Sequence, residues 1–109
     1  MASEVAWGDI RLCELDRPDK RRPVLVLTRG SALAYLTRVT VAPITTTVRG
    51  VPSELALGPE SGLKTPSAAN LHNLVTVDRA RLGRWLGVLP PARRAELRAA
   101  LLFALDLDH

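Results

Sequence analysis

The chain has a single cysteine, few aromatic residues and no long hydrophobic run. Cys13 cannot form an intrachain disulfide, and no second thiol can complete a zinc site with it, which favours a reducing cytoplasm. The longest apolar run extends only from Ala99 to Leu105, far below the ~18 residues that a transmembrane helix needs. The segment from Met1 to Gly8 lacks the apolar core of an export signal. The sequence therefore predicts a cytoplasmic protein without a membrane partner.

Aromatic side chains make up only 4% of the residues. This scarcity disfavours modules that bind single strands by stacking bases on rows of aromatic rings. The sequence also lacks glycine-rich phosphate loops, paired-histidine helix motifs and exposed-serine elbows. It therefore gives no indication of nucleotide hydrolysis, zinc proteolysis or serine esterase activity. No metal ion and no cofactor are predicted.

The composition is that of an ordinary folded protein. With 109 residues, of which 47% are hydrophobic and 24% charged, residues 1–109 are predicted to form one domain. A chain of this size buries only about two-thirds of its unfolded surface, so a partner subunit would help to stabilise it. Fifteen Lys and Arg against eleven Asp and Glu give a net charge of +4, which favours polyanionic partners.

Short segments with strand patterns fill the first three-quarters of the chain, and five or six strands are predicted: 9–14, 23–28, 38–43, 54–57 and one or two within 67–77. The segment 23–28 is apolar on both faces, which is typical of a central strand, and Pro23 is expected at its first position because proline cannot donate to a ladder. Residues 30–36 are predicted to form a turn or one short helical turn.

The pattern changes to a helical period after Pro91. Five apolar residues fall on one helical face, while three arginines are expected to face water: Leu97, Ala100, Leu101, Ala104 and Leu105 on the apolar face, and Arg93, Arg94 and Arg98 on the other. Short strands followed by one amphipathic helix indicate a small, strongly curved antiparallel sheet, with the helix covering an open side.

Basic residues are concentrated between Arg17 and Ser53, where only one acid, Asp19, accompanies seven cations: Arg17, Lys20, Arg21, Arg22, Arg29, Arg38 and Arg49. Such a run is commonly a solvated surface. Arg22 differs because the following Pro23 biases its backbone toward the extended region, which would hold its guanidinium at the mouth of the strand. A fixed and always charged fork suits a phosphate.

Two further features offer polar chemistry. Thr45, Thr46 and Thr47 place three hydroxyls at the end of a predicted strand, where a hydroxyl can bind a phosphoryl oxygen or cap the local backbone. His72 and the terminal His109 are the two histidines of the chain. A two-histidine mechanism would require His109 to be fixed, and we discount it.

Together these segments resemble the MazF/PemK family of toxin endoribonucleases. The resemblance runs from about Gly8 to Leu107 and is carried by four segments in order: Gly8-Asp9-Ile10, Arg21-Arg22-Pro23-Val24-Leu25-Val26-Leu27, Val41-Ala42-Pro43-Ile44-Thr45-Thr46-Thr47 and Thr76-Val77-Asp78-Arg79-Ala80-Arg81-Leu82. The Arg-Pro-Val strand and the Val-Ala-Pro-Ile-Thr strand at this spacing are together quite specific.

The resemblance implies a small Src-homology-like antiparallel β-barrel of the MazF/Kid/CcdB type, with a C-terminal helix, that forms a homodimer. Such toxins cut single-stranded RNA at short preferred sequences without a metal, inhibit translation and growth, and are inhibited by a cognate acidic antitoxin that crosses the RNA groove. The resemblance also implies that Arg22 and Thr45 lie at the scissile phosphate as catalytic residues.

One motif departs from the family pattern. Where relatives often carry Arg-x-Asp-Gln, this chain has Asn70-Leu71-His72-Asn73, so an acid and base pair cannot be transferred to it. The first loop also lacks the Gly-Ser-Glu run of many relatives. His72 is a candidate general base because imidazole titrates near neutral pH, although contact with an RNA base or simple packing is as good an explanation.

RNA contacts are predicted for the remaining polar residues near these motifs. Charged and hydrogen-bonding side chains suit phosphates and unstacked bases, and the candidates are Lys20, Arg21, Thr46, Thr47, Arg49, Asn70 and Asn73.

Three other functions remain open at this point. A CcdB-like toxin would share the fold and act on DNA gyrase by protein contact, without catalysis. A passive nucleic-acid or protein adaptor would need only the basic loops. A toxin-like barrel that has lost activity is suggested by the altered Asn70 to Asn73 segment.

Overall fold

The computed structural model describes residues 4–16 and 20–109, so Arg17 and Asp19 of the cationic stretch lie outside the described residues. Within these ranges the chain forms seven strands and one α-helix, with short 3-10 turns between some of them. The elements are β1 (Asp9–Glu14), β2 (Arg21–Val26), β3 (Arg38–Thr45), β4 (Glu54–Leu57), β5 (Ser67–Asn70), β6 (Val75–Asp78), β7 (Leu82–Val88) and α1 (Arg94–Ala104).

All strand pairs are antiparallel, and the sheet follows the order β4-β5-β3-β2-β1-β7, with β6 added to β3. β3 organises the sheet because it pairs with β2 along one edge and divides its other edge between two strands. Arg38 to Val41 pair with β6, and Ile44 and Thr45 pair with β5. The curled antiparallel half-barrel with a C-terminal helix confirms the predicted fold class.

Apolar residues are buried on both faces of the central strands. On one face, Leu25 of β2 and Ala42 of β3 belong to a core that is covered by Leu97 and Ala100 of α1, which we call the helix-side core. On the other face, β2, β3 and neighbouring elements form a second core, which contains Cys13, Val24, Val26, Leu33, Val39, Val41 and Val77. Burying a side chain of the Val or Leu type contributes about 1.5–3 kcal/mol, so both faces stabilise the sheet. The two cores explain why β2 is apolar on both faces from Val24 to Val26.

β7 was not predicted from the sequence because two glycines interrupt its apolar pattern. A Cβ atom on Gly87 would lie 2.0 Å from the carbonyl oxygen of Ser61, and one on Gly62 would lie 2.1 Å from that of Leu86. Gly62 also has a φ of +85°, which favours glycine. The glycines therefore permit a backbone contact between β7 and the turn at Pro59–Ser61.

Three details of the predicted elements are wrong. β2 begins at Arg21, so Pro23 is its third residue, just beyond the last β2–β3 pair between Val24 and Pro43. Leu105 follows the end of α1 and is 50% exposed. Arg93 is half-buried because its guanidinium donates to Glu60, Glu96 and the carbonyl of Ala56.

The helix matches the remaining prediction. Leu97 and Ala100 are buried, and Leu101 and Ala104 pack against the helix-side core. Within residues 4–16 and 20–109, no helix combines the length and the hydrophobicity that a membrane crossing requires.

A buried ion pair anchors β1. Arg11 and Asp9 are both buried, and the Arg11 Nε atom lies 3.2 Å from the Asp9 carboxylate. The same guanidinium donates to the carbonyls of Gly83, on β7, and Glu4, in the N-terminal segment. These bonds compensate for burying the two charges and tie β1 to its neighbours.

Candidate active site

Arg22 and Thr45 lie on neighbouring strands where the second core ends. The antiparallel β2–β3 ladder ends with Val24 opposite Pro43, and Arg22 and Thr45 each lie two residues beyond this last pair on their own strands. Because side chains alternate along a strand, Arg22 is on the face of Val24 and Thr45 on that of Pro43, which is one face of the sheet. Both side chains are half-buried. The sheet thus brings together the two residues that the family motifs single out.

The backbone of Arg22 is fixed on both sides. Strand alternation places Arg22 on the face of Val24 and Val26, which are fully buried in the second core. On β1 it lies opposite Cys13. Burial raises the pKa of the Cys13 thiol despite the nearby Arg81 charge, which lowers it, so this neighbour is a neutral group. Arg22 therefore has a neutral thiol, and not an anion, as its neighbour on β1.

Thr45 is the last residue of β3 and turns its hydroxyl toward the following loop. Its Oγ1 accepts a hydrogen bond of 3.1 Å from the backbone N–H of Thr47. Because a hydroxyl has one proton and two lone pairs, the Thr45 O–H can still donate to a ligand. The side chains of Thr46 and Thr47 are exposed beside it.

Asn70 lies on the same face of the sheet as Thr45. β5 pairs Ala68 with Thr45, and Asn70 follows two residues later, opposite Glu54 of β4. Its Oδ1 atom is buried and has no hydrogen-bond partner among the described residues. An unsatisfied buried acceptor costs about 1–3 kcal/mol, so a ligand that brings an N–H or O–H donor would gain by reaching it.

His72 is exposed in the turn between β5 and β6. Its Nδ1 atom lies 2.7 Å from the hydroxyl of Ser53, and the backbone N–H of Leu71 donates to the Ser53 carbonyl at 3.0 Å. The other ring nitrogen, Nε2, has no hydrogen-bond partner in the part of the chain that the structure describes. Asn73 is also exposed, and its N–H closes the turn on the Asn70 carbonyl at 3.2 Å.

Glu54 orders the loop between β3 and β4. Its carboxylate accepts hydrogen bonds from the backbone N–H groups of Arg49, Gly50 and Val51, the shortest being 2.7 Å to Gly50. Burial raises the pKa of the Glu54 carboxyl, whereas these hydrogen bonds and the nearby His72 lower it. Together the lowering effects are larger, so the pKa lies below its ordinary value. The charged carboxylate therefore holds the loop in place.

The structure does not gather the cationic stretch into one patch. Arg21 is exposed and, by strand alternation, leaves β2 on the face opposite to Arg22. Lys20 is exposed just before β2, and Arg49 is exposed in the loop after β3. Arg38 donates to a carbonyl of β6, and Arg29 lines a groove beside α1. Of the cations of this stretch that the structure describes, Arg22 is the one that strand alternation places on the face of Thr45.

Three potential metal ligands approach one another at the C-terminus. Donor atoms of Asp106, Asp108 and His109 lie within 4.8 Å of one another, and all three residues are exposed. His109 Nε2 is 2.6 Å from Asp106 Oδ1. This cluster follows α1 and contains none of the residues of the candidate active site.

Ser53 and Glu54 are the site residues that sequence reasoning missed. Neither belongs to a recognisable motif, and each acts through a contact that the fold creates: Ser53 with His72, and Glu54 with the loop backbone. A hydroxyl before a glutamate in a loop gives no signal of either contact.

Comparison with known proteins gives the family. Residues 6–105 match the family described as PemK-like, MazF-like toxin of type II toxin-antitoxin system. The chain belongs to this family. Endoribonuclease MazF3 of Mycobacterium tuberculosis is 46% identical to this PemK-like, MazF-like toxin over 90 residues, which cover 83% of the chain and 87% of that relative.

Solved structures agree with this membership. The Mycobacterium tuberculosis toxin MazF-mt6 gives a TM-score of 0.86 at 42% identity, over 93% of this toxin and 99% of that chain. An endoribonuclease from a mycobacterial species, in complex with its cognate antitoxin, gives a TM-score of 0.84 at 28% identity, over 96% and 98% of the two chains. The resemblance predicted from the Arg-Pro-Val and Val-Ala-Pro-Ile-Thr segments is confirmed.

Proposed function

We propose that this toxin is a sequence-specific endoribonuclease that cuts single-stranded RNA, mRNA or another cellular RNA, and thereby inhibits translation and growth. The observation that carries the proposal is that Arg22 and Thr45 lie on one face of the sheet, each two residues beyond the last pair of the β2–β3 ladder. The description of MazF3 as an endoribonuclease supports the same chemistry.

The proposed reaction is attack of a ribose 2′-oxygen on the adjacent phosphorus. The 2′-hydroxyl gives up its proton, a bond forms from the 2′-oxygen to phosphorus, and the bond from phosphorus to the 5′-oxygen breaks. The leaving 5′-oxygen takes up a proton, and the other product carries a 2′,3′-cyclic phosphate. The protein must supply a base, stabilise charge on the phosphoryl oxygens and assist the leaving group. No metal is required for these tasks.

We assign to Arg22 and Thr45 the stabilisation of the negative charge that develops on the phosphate. The Arg22 guanidinium can bind two phosphoryl oxygens as a fork, and it also lies where it can assist the leaving oxygen. The Thr45 hydroxyl, whose proton is not used within the loop, donates to a non-bridging oxygen. Such donors are effective because they are already in position when the charge forms, so no reorganisation is needed during the reaction.

His72 is the proposed general base. The contact of its Nδ1 with Ser53 restrains the ring. When Nδ1 carries the proton and donates to the Ser53 oxygen, Nε2 is the nitrogen that accepts the proton of the 2′-hydroxyl. Ser53 is then a positioning residue, because it acts on the RNA only through His72.

The remaining polar residues are proposed to hold the RNA. Cationic side chains bind phosphates and make binding weaken as salt rises. Hydroxyl and amide groups bind unstacked bases, and the buried Asn70 Oδ1 is suited to accept from an amino group. The proposed phosphate ligands are Lys20 and Arg49, and the base ligands are Thr46, Thr47, Asn70 and Asn73. Arg21 leaves β2 on the face opposite to Arg22 and is not among them.

The proposal also covers the toxin's inhibitor, its oligomeric state and its location in the cell. A cognate acidic antitoxin binds the toxin, which the antitoxin complex of the mycobacterial endoribonuclease supports. Two copies form a homodimer that covers exposed apolar side chains on β7 and after α1, among them Trp85 and Leu107. The toxin acts in the cytoplasm, where its RNA substrates are.

The decisive experiment uses a short RNA that the purified toxin cuts, and the same RNA with a single 2′-deoxy nucleotide at the cut position. Both are incubated in buffer with excess chelator, and the product ends are mapped. We expect the all-ribose RNA to be cut to a cyclic phosphate and a 5′-hydroxyl, and the substituted RNA to resist. Cutting of the substituted RNA would exclude attack by the 2′-oxygen, and loss of activity in chelator would exclude the metal-free mechanism. A toxin that cuts no RNA under any of these conditions would contradict the proposed activity itself.

A further inference from the structure

An apolar groove runs between the N-terminal segment, the end of β2 and α1. Trp7 and Leu27 line it on one side, and Leu97 and Leu101 of α1 line it on the other, around a volume of about 620 Å³. A second space of about 530 Å³ adjoins it and shares Trp7, Leu27 and Arg94 with it. We call the two spaces together the Trp7 groove.

The rim of the Trp7 groove is cationic. Arg94, Arg98 and Arg29 line it, and none of its described lining residues is acidic. The Arg94 guanidinium lies 4.3 Å from the centre of the Trp7 ring, a cation–π contact that holds both side chains in place. The groove therefore offers an apolar floor between fixed positive charges.

The groove opens on a different face from the candidate active site. Leu27 follows Leu25 by two residues and packs against the helix-side core, whereas Arg22 lies on the face of Val24 and the second core. A ligand in the Trp7 groove would not occupy the space over Arg22 and Thr45. Binding there and cleavage of RNA are separable by mutation.

We propose that the Trp7 groove binds an acidic, amphipathic segment of the antitoxin, as an anchor separate from the RNA-binding face. This rests on the proposed function only in that an antitoxin is the partner. Bulky apolar side chains of the segment pack between Trp7 and Leu101, and its carboxylates meet Arg94 and Arg98. Positive charge at the rim calls for a negatively charged partner, and the aliphatic floor formed by Leu27, Leu97 and Leu101 favours the apolar side chains of a peptide.

The test uses a synthetic peptide of about 16 residues, with leucines spaced i, i+4 and i+7 among glutamate and alanine. A peptide of the same composition with its leucines scattered has the same charge and serves as the control. The toxin has two tryptophans, and only Trp7 lines the groove. We expect the first peptide to shift the Trp7 indole N–H signal in a ¹⁵N NMR spectrum and to leave that of Trp85 in place, and we expect the scattered peptide to bind at least about tenfold more weakly.

Matched charge reversals locate the binding. Arg98→Glu on α1 and Arg84→Glu on β7 change the net charge equally, and both residues are exposed. We expect Arg98→Glu to weaken peptide binding about tenfold, and Arg84→Glu less than twofold. RNA cleavage is expected to be unchanged in Arg98→Glu, so the peptide result stands apart from the proposed nuclease activity.

Several outcomes would overturn the proposal. Among them are the absence of a Trp7 shift, equal binding of the two peptides, and equal losses in Arg98→Glu and Arg84→Glu. Release of the peptide from Trp7 by a short single-stranded RNA would assign the groove to nucleic acid. Sedimentation that shows a dimer dissociating in Arg98→Glu, with no peptide bound at Trp7, would assign it to a second copy of the chain.

Discussion

The Ser53 hydroxyl lies 2.7 Å from Nδ1 of His72 and thereby joins the loop before β4 to the turn after β5. These two segments also share a backbone hydrogen bond from Leu71 to Ser53. The pair gives an otherwise exposed histidine a defined orientation beside Asn70. This contact allows the proposed role of His72 as general base to be tested by mutation of either residue.

Removing either partner should affect cleavage to different degrees. We expect His72→Ala to lower kcat by about 10²-fold, the range typical of a lost general base. Ser53→Ala should lower it less, because the imidazole remains. Since Ser53 acts only through His72, the double variant should be no slower than His72→Ala alone. The measurement is single-turnover cleavage of a labelled RNA at saturating toxin.

The pH profile separates catalysis from structure. A general base must be deprotonated to accept a proton, so the wild-type rate should rise with pH and His72→Ala should lose this rise. A profile that is identical in the two proteins would assign His72 to RNA contact or packing.

Replacing Arg22 should abolish the chemistry while leaving the fold intact. We expect Arg22→Ala to lower kcat by about 10²–10³-fold, because the phosphoryl charge loses its main donor. Arg22→Lys should recover part of the rate, since it keeps the charge and loses the fork. Melting temperatures should stay within a few degrees of wild type. Arg84→Ala, an exposed arginine on β7, is the matched control, and a collapse of stability in Arg22→Ala would make Arg22 a structural residue.

Glu54 should make the stability of the loop depend on pH. Its folded pKa lies below the ordinary value, so its contribution is fully present above the ordinary carboxyl pKa of about 4.3 and is lost as the pH falls through the lowered folded value. We expect Glu54→Gln to lower the melting temperature at pH 7 and to approach the wild type in acid. Glu14→Gln, at an exposed glutamate on β1, should change little at either pH. A Glu54→Gln deficit that persists in acid would show that the charge is not what holds the loop.

Gly87 should tolerate no side chain. A Cβ atom there would lie 2.0 Å from the Ser61 carbonyl oxygen, so Gly87→Ala must separate β7 from the turn at Pro59–Ser61. We expect a loss of at least about 2 kcal/mol in the free energy of unfolding, measured by urea denaturation. Gly30→Ala, where nothing lies within 4 Å, is the control and should be near neutral.

The sequence predicted most of the elements because their patterns are local. Alternation gave β1 and β3, and the doubly apolar run of β2 indicated a central strand before either core was seen. β7 was not predicted because Gly83 and Gly87 break its pattern, and the contact that requires glycine at Gly87 is with a turn distant in sequence. Arg11 likewise looks like a surface residue until Asp9 and the carbonyls of other segments surround it.

In the candidate site, some residues could be identified from local motifs, whereas others depend on contacts that only the folded chain creates. Arg22 and Thr45 were identified from the residues around them, because the preceding and following prolines and valines set an extended backbone and a family pattern. Their position on one face of the sheet depends on the β2–β3 register, which is set by the two cores. The sequence could not show that Ser53 holds His72, nor that Arg21 leaves the strand on the face away from Arg22.

The amino-acid sequence by itself determined the chain's positive charge, its order of strands and helix, and its family, since each follows from composition or from neighbouring residues. Only the tertiary structure decided which cations share a face. The basic residues are concentrated in one part of the chain, but strand alternation and the curl of the sheet place Arg22 on the face of Thr45, Arg29 beside Trp7 and Arg38 against β6. Side chains that adjoin in sequence point to opposite sides of a strand, so proximity along the chain does not give proximity in space.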